Sequence, residues 1–458
     1  MSSTTAEPQE QSKPPGELRI LARLSVPIIL TNLTMFSMVA VDTLMLGNSS
    51  QEELAAMGLA AVWLQGTTLF AAGILFGMDP IVSQAHGAGD QRRIREILGQ
   101  GLVMAAILCP LLMLAWGWTE GFLLAMGQDP ELARLGGTYA NWQLLSVPGV
   151  MAFSAIRQWL QGQRLLQPIL FHALWGNAIN VLLNWILIFG HWGMPAMGLK
   201  GAAIATSITR TAMGAALIWH LHAHHKASVP RLGMGPHAWN RKALLALLAL
   251  GLPISIQVSL EVFAFGVTTL IAGKLGTAAT SAHLVVMNVA SITFMIALGI
   301  GLAASTRIGN LIGEGRPQTA RRSARWAFAL SSSIMFGCGL LFYFGRDFLP
   351  TLYSKPEDIK VREMAAIILP IAGAFQVFDG IQVIGSGVLR GAGLTRPAAL
   401  FNLVGYWVLA LPLGWYLTFH AGMGLPGIWW ALALGLACVA TGLVVYWKRL
   451  DLEHLRRV

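Results

Sequence analysis

The chain has 458 residues, 55% of them apolar and only 11% charged, less than half the charged share of about 25% in an ordinary soluble protein. So few charges cannot cover a water-soluble surface of this size. The net charge of +10 raises nucleic acid as a partner, but the basic residues are spread over short loops instead of forming a patch, which excludes that class.

A helix needs roughly 20 mostly apolar residues to cross a bilayer. Twelve such stretches are predicted in turn, near residues 24–46, 55–85, 96–117, 135–160, 166–190, 201–222, 244–273, 280–311, 324–345, 364–389, 398–419 and 424–447. They lack the period-2 alternation of a β-barrel. The 50 glycines suit close helix packing in lipid. The polar residues 1–17 are expected to be a disordered tail. The long first apolar stretch has no small-residue cleavage site and reads as an uncleaved insertion signal.

The first helix carries Asp42 in Val41-Asp42-Thr43-Leu44-Met45-Leu46-Gly47, with Met35 and Phe36 before it. The second carries Asp79 ahead of Pro80, read either as a functional carboxylate or as a helix-end residue that meets water. The fifth places Asn180 and Asn184 on one face at i,i+4, with Asn177 nearby. These amides suit either oxygen coordination of a hard cation or interhelical hydrogen bonds. Arg210 lies in the sixth helix as a counter-ion or a snorkelling side chain. His220, His222, His224 and His225 follow at its end and read as a solvated cluster, not a metal site. The seventh helix carries Glu261, with Gln257 and Phe265 four residues to either side. The tenth carries Asp379, flanked by Gln376 and Gln382, with Phe375 and Phe378 alongside. Cys109, Cys338 and Cys438 all fall in apolar spans and outline no disulfide or metal framework.

The loops after the even-numbered helices, with the helix ends and tails beside them, hold 23 Lys and Arg, against 7 on the opposite side. That bias predicts cytoplasmic termini. The basic loop after the ninth helix, with Arg346, Lys355, Lys360 and Arg362, runs against it.

The chain also repeats itself. At an offset of 226 residues Pro27 meets Pro253, Gly47 meets Gly273, Gly73-Ile74 meets Gly299-Ile300, Gly87 and Gly89 meet Gly313 and Gly315, and Gly198 meets Gly424. At 229, Gly162 meets Gly391 and Pro168 meets Pro397. An even number of helices separates the copies, so they share one orientation, and transporters place their sites at such repeat interfaces. The resulting layout is a tail (1–17), an N-lobe of six helices (18–222), a cytoplasmic linker (223–241), a C-lobe of six helices (242–448) and a C-terminal tail (449–458).

A charge in the bilayer centre costs roughly 2.5–3.5 kcal/mol on insertion scales and more in simulations, so Asp42, Glu261 and Asp379 are read as the cation-coupling residues. The repeat does not duplicate them. Asp42 meets Thr268 and Glu261 meets Met35, so the halves differ in chemistry. A buried carboxyl holds a proton or Na+ and releases it when an organic cation arrives, which is the logic of antiport. Met35, Gln257, Phe265, Phe375 and Phe378 are candidates for the wall of a cavity that takes an amphipathic substrate, or plain core.

The segments Val41–Gly47, Val82-Ser83-Gln84-Ala85-His86-Gly87-Ala88-Gly89, Asn180–Asn184, Gly201–Thr206, Glu261 and Gly387-Val388-Leu389-Arg390-Gly391-Ala392-Gly393 resemble the multidrug and toxic compound extrusion (MATE) family, in its NorM-like branch, over residues 18–448. The resemblance implies an all-α membrane protein of two pseudo-symmetric six-helix bundles forming a V-shaped cavity. It implies export of organic cations driven by Na+ or H+. By position, Asp42 with Asn180, Asn184 and Thr206 resembles the polar cluster of the N-lobe. Glu261 and Asp379 resemble the cation site of the C-lobe. That branch can place a Tyr four residues before the tenth-helix Asp, where this chain has Phe375. The expected protein is a monomeric, multi-pass transporter of the bacterial inner membrane. No enzymatic activity, no cofactor and no metal beyond a coupling Na+ are expected. A lipid-linked saccharide or lipid flippase of the same superfamily is the alternative, followed by an intramembrane enzyme.

Overall fold

The computed structural model describes residues 16–224, 236–455 and 457–458. The expected disordered tail lies outside them up to residue 15, as do linker residues 225–235 and the side chains of His224 and His225. All regular structure among the described residues is helical.

The N-lobe holds α1 (Glu17–Gly47), α2 (Gln51–Gly87), α3 (Gln91–Gly117), α4 (Pro130–Gln143 continuing as Val147–Gly162), α5 (Gln167–Phe189) and α6 (Gly198–His224). The C-lobe holds α7 (Arg241–Gly273), α8 (Thr277–Gly313), α9 (Pro317–Phe344), α10 (Ile359–Gly391), α11 (Arg396–His420) and α12 (Leu425–Arg449). Eleven of the helices are long and apolar enough to cross a membrane. The fourth span differs from expectation because a 3-10 turn at Leu144–Ser146 divides it. Pro148 explains the break: proline has no N–H for the carbonyl of Leu144 and its ring crowds that oxygen. Pro80 acts likewise on Phe76, where α2 breaks and restarts at Met78.

Helix starts follow from local sequence. Asp90 accepts from the Arg93 N–H at 2.9 Å, and Asn240 accepts from the N–H groups of Lys242 and Ala243, relieving donors that a helix start leaves unpaired. The repeat recurs in the backbone. Gly89 and Gly315 both have φ +71°, and Gly198 and Gly424 have φ +52° and +61°, a region open to glycine because it lacks a Cβ.

Each lobe has its own apolar core. One gathers Leu46, Met78, Ile94, Trp116 and Trp159, the other Ala264, Phe342, Leu369, Trp429 and Leu436. The lobes join at the end bearing the loops after even-numbered helices, called here the basic end. There the Ser255 hydroxyl donates to Phe70 O at 2.7 Å. The Asn310 amide donates to Ser83 O at 2.8 Å and Gly162 O at 3.1 Å, and Arg164 donates to Asn310. Gln84 donates to Gly391 O at 3.0 Å and accepts from the Val458 N–H at 2.9 Å. Arg307 pairs with Glu17 at 2.7 Å, both side chains nearly buried. A Cβ on Gly87 would lie 1.9 Å from Asn310 O, and one on Gly309 1.9 Å from Ser83 Oγ. Among the described residues, the side-chain bonds between lobes all fall in this basic half, which is therefore sealed.

Candidate functional site

Two acidic centres sit inside the lobes and a third lies between them. In the N-lobe, Asp42 on α1 is buried. Its Oδ1 accepts from Asn184 Nδ2 at 2.5 Å and its Oδ2 from Thr206 Oγ1 at 3.0 Å. Asn184 also donates to Asn180 Oδ1 at 3.3 Å, and Asn180 to Thr206 at 3.5 Å. The i,i+4 spacing on α5 brings both amides to one carboxylate. Arg210 on α6 donates to Gln143 Oε1 at 2.9 Å and lies within electrostatic range of Asp42. Asp42 thus has donors on both oxygens and a cation in range.

The C-lobe centre is different. Asp379 on α10 is 2% exposed and lies close enough to Glu261 on α7 for the two charges to interact. Gln382 lies beside Glu261 and donates to Asn402 Oδ1 at 3.3 Å. Among the described residues, no Lys, Arg or His is paired with either carboxylate. Several buried polar atoms nearby also lack partners among the described residues: both amide atoms of Gln376, Gln382 Oε1, Asn402 Nδ2 and the Tyr406 hydroxyl. Buried polar groups normally find partners, so a cluster of exceptions around two carboxylates marks a site built for something else.

The candidate cavity residues divide between these centres. Gln257 donates to Ser386 Oγ at 3.0 Å. The Phe265 ring meets Phe375 and Tyr406 edge-on at 6.1 and 5.9 Å. Phe375 is buried between Phe265 and Trp429. Phe378 is half-buried against the same core, and Met35 against the N-lobe core.

Asp79 does not meet water as its place beside Pro80 suggested. It is 1% exposed and bridges the lobes, accepting from Ser305 Oγ at 2.5 Å and Thr306 Oγ1 at 3.3 Å, with Arg390 in electrostatic range. Pro80 breaks the helix, and the break is where the other lobe packs. Other buried polar residues carried no distinguishing signal in the sequence. Arg157 donates to Asn32 Oδ1 at 2.7 Å. His283 is buried against Trp429, and neither ring nitrogen has a partner among the described residues. Among the described residues, no group of three or more His, Cys, Asp or Glu is arranged to hold a metal ion. The three cysteines are free.

Comparison with known proteins agrees with this architecture. The MatE family model matches twice, at residues 27–186 and 253–416, one copy in each lobe and in the register of the repeat. The chain is 34% identical over 429 residues to a multidrug resistance protein NorM of Burkholderia vietnamiensis, covering 92% of this chain and 91% of that protein. It is 32% identical over 453 residues to a probable multidrug resistance protein NorM of Pseudomonas syringae pv. tomato, covering 97% and 98%. A crystal structure of a eukaryotic MATE transporter superposes with a TM-score of 0.88 at 23% identity, covering 95% of this chain and 96% of that one. An outward-facing multidrug resistance MATE transporter superposes with a TM-score of 0.86 at 19% identity, covering 97% and 98%.

Proposed function

The chain belongs to the MATE family, and from that premise we propose that it exports amphipathic organic cations across a bacterial inner membrane in exchange for Na+ or H+. The observation that carries this is the C-lobe pair. Glu261 and Asp379 share an apolar lobe with no basic partner among the described residues, so their repulsion is relieved by a bound cation. An intramembrane acid without a fixed counter-ion is a place for an exchangeable one. Asp42, with donors on both oxygens and Arg210 in range, is assigned to holding the N-lobe together.

The basic end is assigned to the cytoplasm from its Lys and Arg excess. The sealed basic half then corresponds to the state loaded from outside. The coupling ion enters and occupies the acidic pair. An organic cation bound from the inside competes for the same negative charge, and the ion leaves inward as cargo leaves outward. An inward-negative potential favours each entering charge by about 2.3 kcal/mol per 100 mV. The relatives named as multidrug resistance proteins support export of drugs.

The test is efflux of a fluorescent organic cation from proteoliposomes under an imposed Na+ or H+ gradient. Wild-type protein should respond to one gradient, and Glu261→Gln or Asp379→Asn should abolish the response. Efflux indifferent to both gradients would overturn the antiport assignment.

A further inference from the structure

We propose that the Tyr406 hydroxyl is an oxygen ligand of a Na+ held between Glu261 and Asp379, supplying from α11 the oxygen that Phe375 lacks on α10. The inference rests on the C-lobe reading above.

Phe375 lies four residues before Asp379, one turn away on the same helix face, and its ring ends in carbon. Tyr406 comes from another helix to the same neighbourhood. Its side chain is 0% exposed, its hydroxyl has no partner among the described residues, and it lies within electrostatic range of both Glu261 and Asp379. A buried phenol ordinarily bonds to something.

The backbone delivering it is unusual. Leu403–Ala410 forms a π-helix inside α11. Such segments are rare and gather at functional sites because the extra residue per turn rotates the following side chains. The next residue fixes the register, since Trp407 Nε1 donates to Leu260 O at 3.0 Å, immediately before Glu261. One end of this segment is tied to the site as well, through Asn402 and Gln382. Phe265, on the same helix as Glu261, closes one side of the phenol ring.

The donor set favours Na+ over a proton. A proton needs one carboxyl oxygen. Two carboxylates, a phenol oxygen and the unpartnered Gln376 and Gln382 amide oxygens form an all-oxygen set of the kind hard metal cations prefer. No other described element brings a hydroxyl with these properties to the pair.

The experiment titrates Na+ into purified full-length protein, following tryptophan fluorescence for binding and organic-cation efflux from proteoliposomes for transport. Tyr406→Phe removes only the hydroxyl and keeps the packed ring. It should raise the Na+ concentration for half-saturation about tenfold or more. Phe375→Tyr in the Tyr406→Phe background restores a phenol one turn from Asp379 and should recover much of that shift. A purely structural role would lower maximal efflux without moving the Na+ dependence. Unchanged half-saturation in Tyr406→Phe, or a shift that Phe375→Tyr leaves standing, would overturn the assignment. So would wild-type protein that binds no Na+. Glu261→Gln separates the two levels. If it abolishes Na+ binding while Tyr406→Phe is silent, only the tyrosine assignment falls. If Glu261→Gln binds Na+ normally, the C-lobe reading falls too.

Discussion

Replacing Asp79 by alanine should open the sealed basic end. The carboxylate accepts from Ser305 at 2.5 Å and Thr306 at 3.3 Å across the lobe interface, and Arg390 lies in electrostatic range. A hydrogen bond to a charged group contributes about 1.5–3 kcal/mol. Arg390 acts on Asp79 only from a distance, without an ion pair, so the two hydrogen bonds set the scale and the closed state should lose about 3 kcal/mol. The open state loses little, since water reaches Arg390 once the lobes part. About 2.7 kcal/mol is enough to bring a 99:1 equilibrium to parity. Spin labels at the exposed positions Gln91 and Arg322, one on each lobe at the basic end, report the separation by pulsed electron resonance. The parent protein should give mainly one short distance, and Asp79→Ala a second, longer component of comparable weight. The double variant Asp79→Ala/Arg390→Leu removes the stray charge and should shift back toward the short distance. A distribution for Asp79→Ala identical to the parent would refute the latch. A double variant more open than the single would refute its electrostatic basis.

Three further outcomes follow from the same geometry. Gly87→Ala should produce the same long distance without any change of charge, because its Cβ would fall 1.9 Å from a backbone oxygen that cannot rotate away. Glu17→Gln should lower thermal stability in detergent by leaving Arg307 buried without its carboxylate, at a cost of up to about 3–5 kcal/mol. Loss of stability should not appear in Glu17→Gln/Arg307→Met. Asn184→Leu should cost about 1.5–3 kcal/mol of stability by removing a donor to Asp42. It should leave the cation dependence of efflux unchanged, and a change there would place the coupling site in the N-lobe instead.

The twelve spans, the repeat and the intramembrane acids were legible because each depends on composition or spacing along the chain. The α5 amides were legible for the same reason, since i,i+4 spacing sets a shared face whatever lies opposite. What lay opposite was not legible. Asp79 read as a helix-end residue because Pro80 marks a break, and only packing shows that the other lobe fills it. Arg307 carries no mark of its partner, since Glu17 lies 290 residues earlier. Tyr406 stood in an aromatic-rich helix among side chains that face lipid, and the π-helical turn that directs it inward leaves no mark in hydropathy. The breaks at Phe76 and Leu144 were readable in principle, four residues before Pro80 and Pro148. A hydropathy window averages over such breaks.

The central claim is that cargo and a coupling cation exchange at Glu261 and Asp379. Antiport is reversible, so a downhill gradient of an organic cation must drive Na+ or H+ the other way, with no ion gradient imposed. The most direct measurement is therefore cargo-driven uptake of radioactive Na+, with internal pH followed in parallel, in proteoliposomes clamped at zero potential. Wild-type protein should move one of the two ions uphill, and Glu261→Gln and Asp379→Asn should move neither. Cargo crossing at the wild-type rate with no countermovement of either ion would contradict the account.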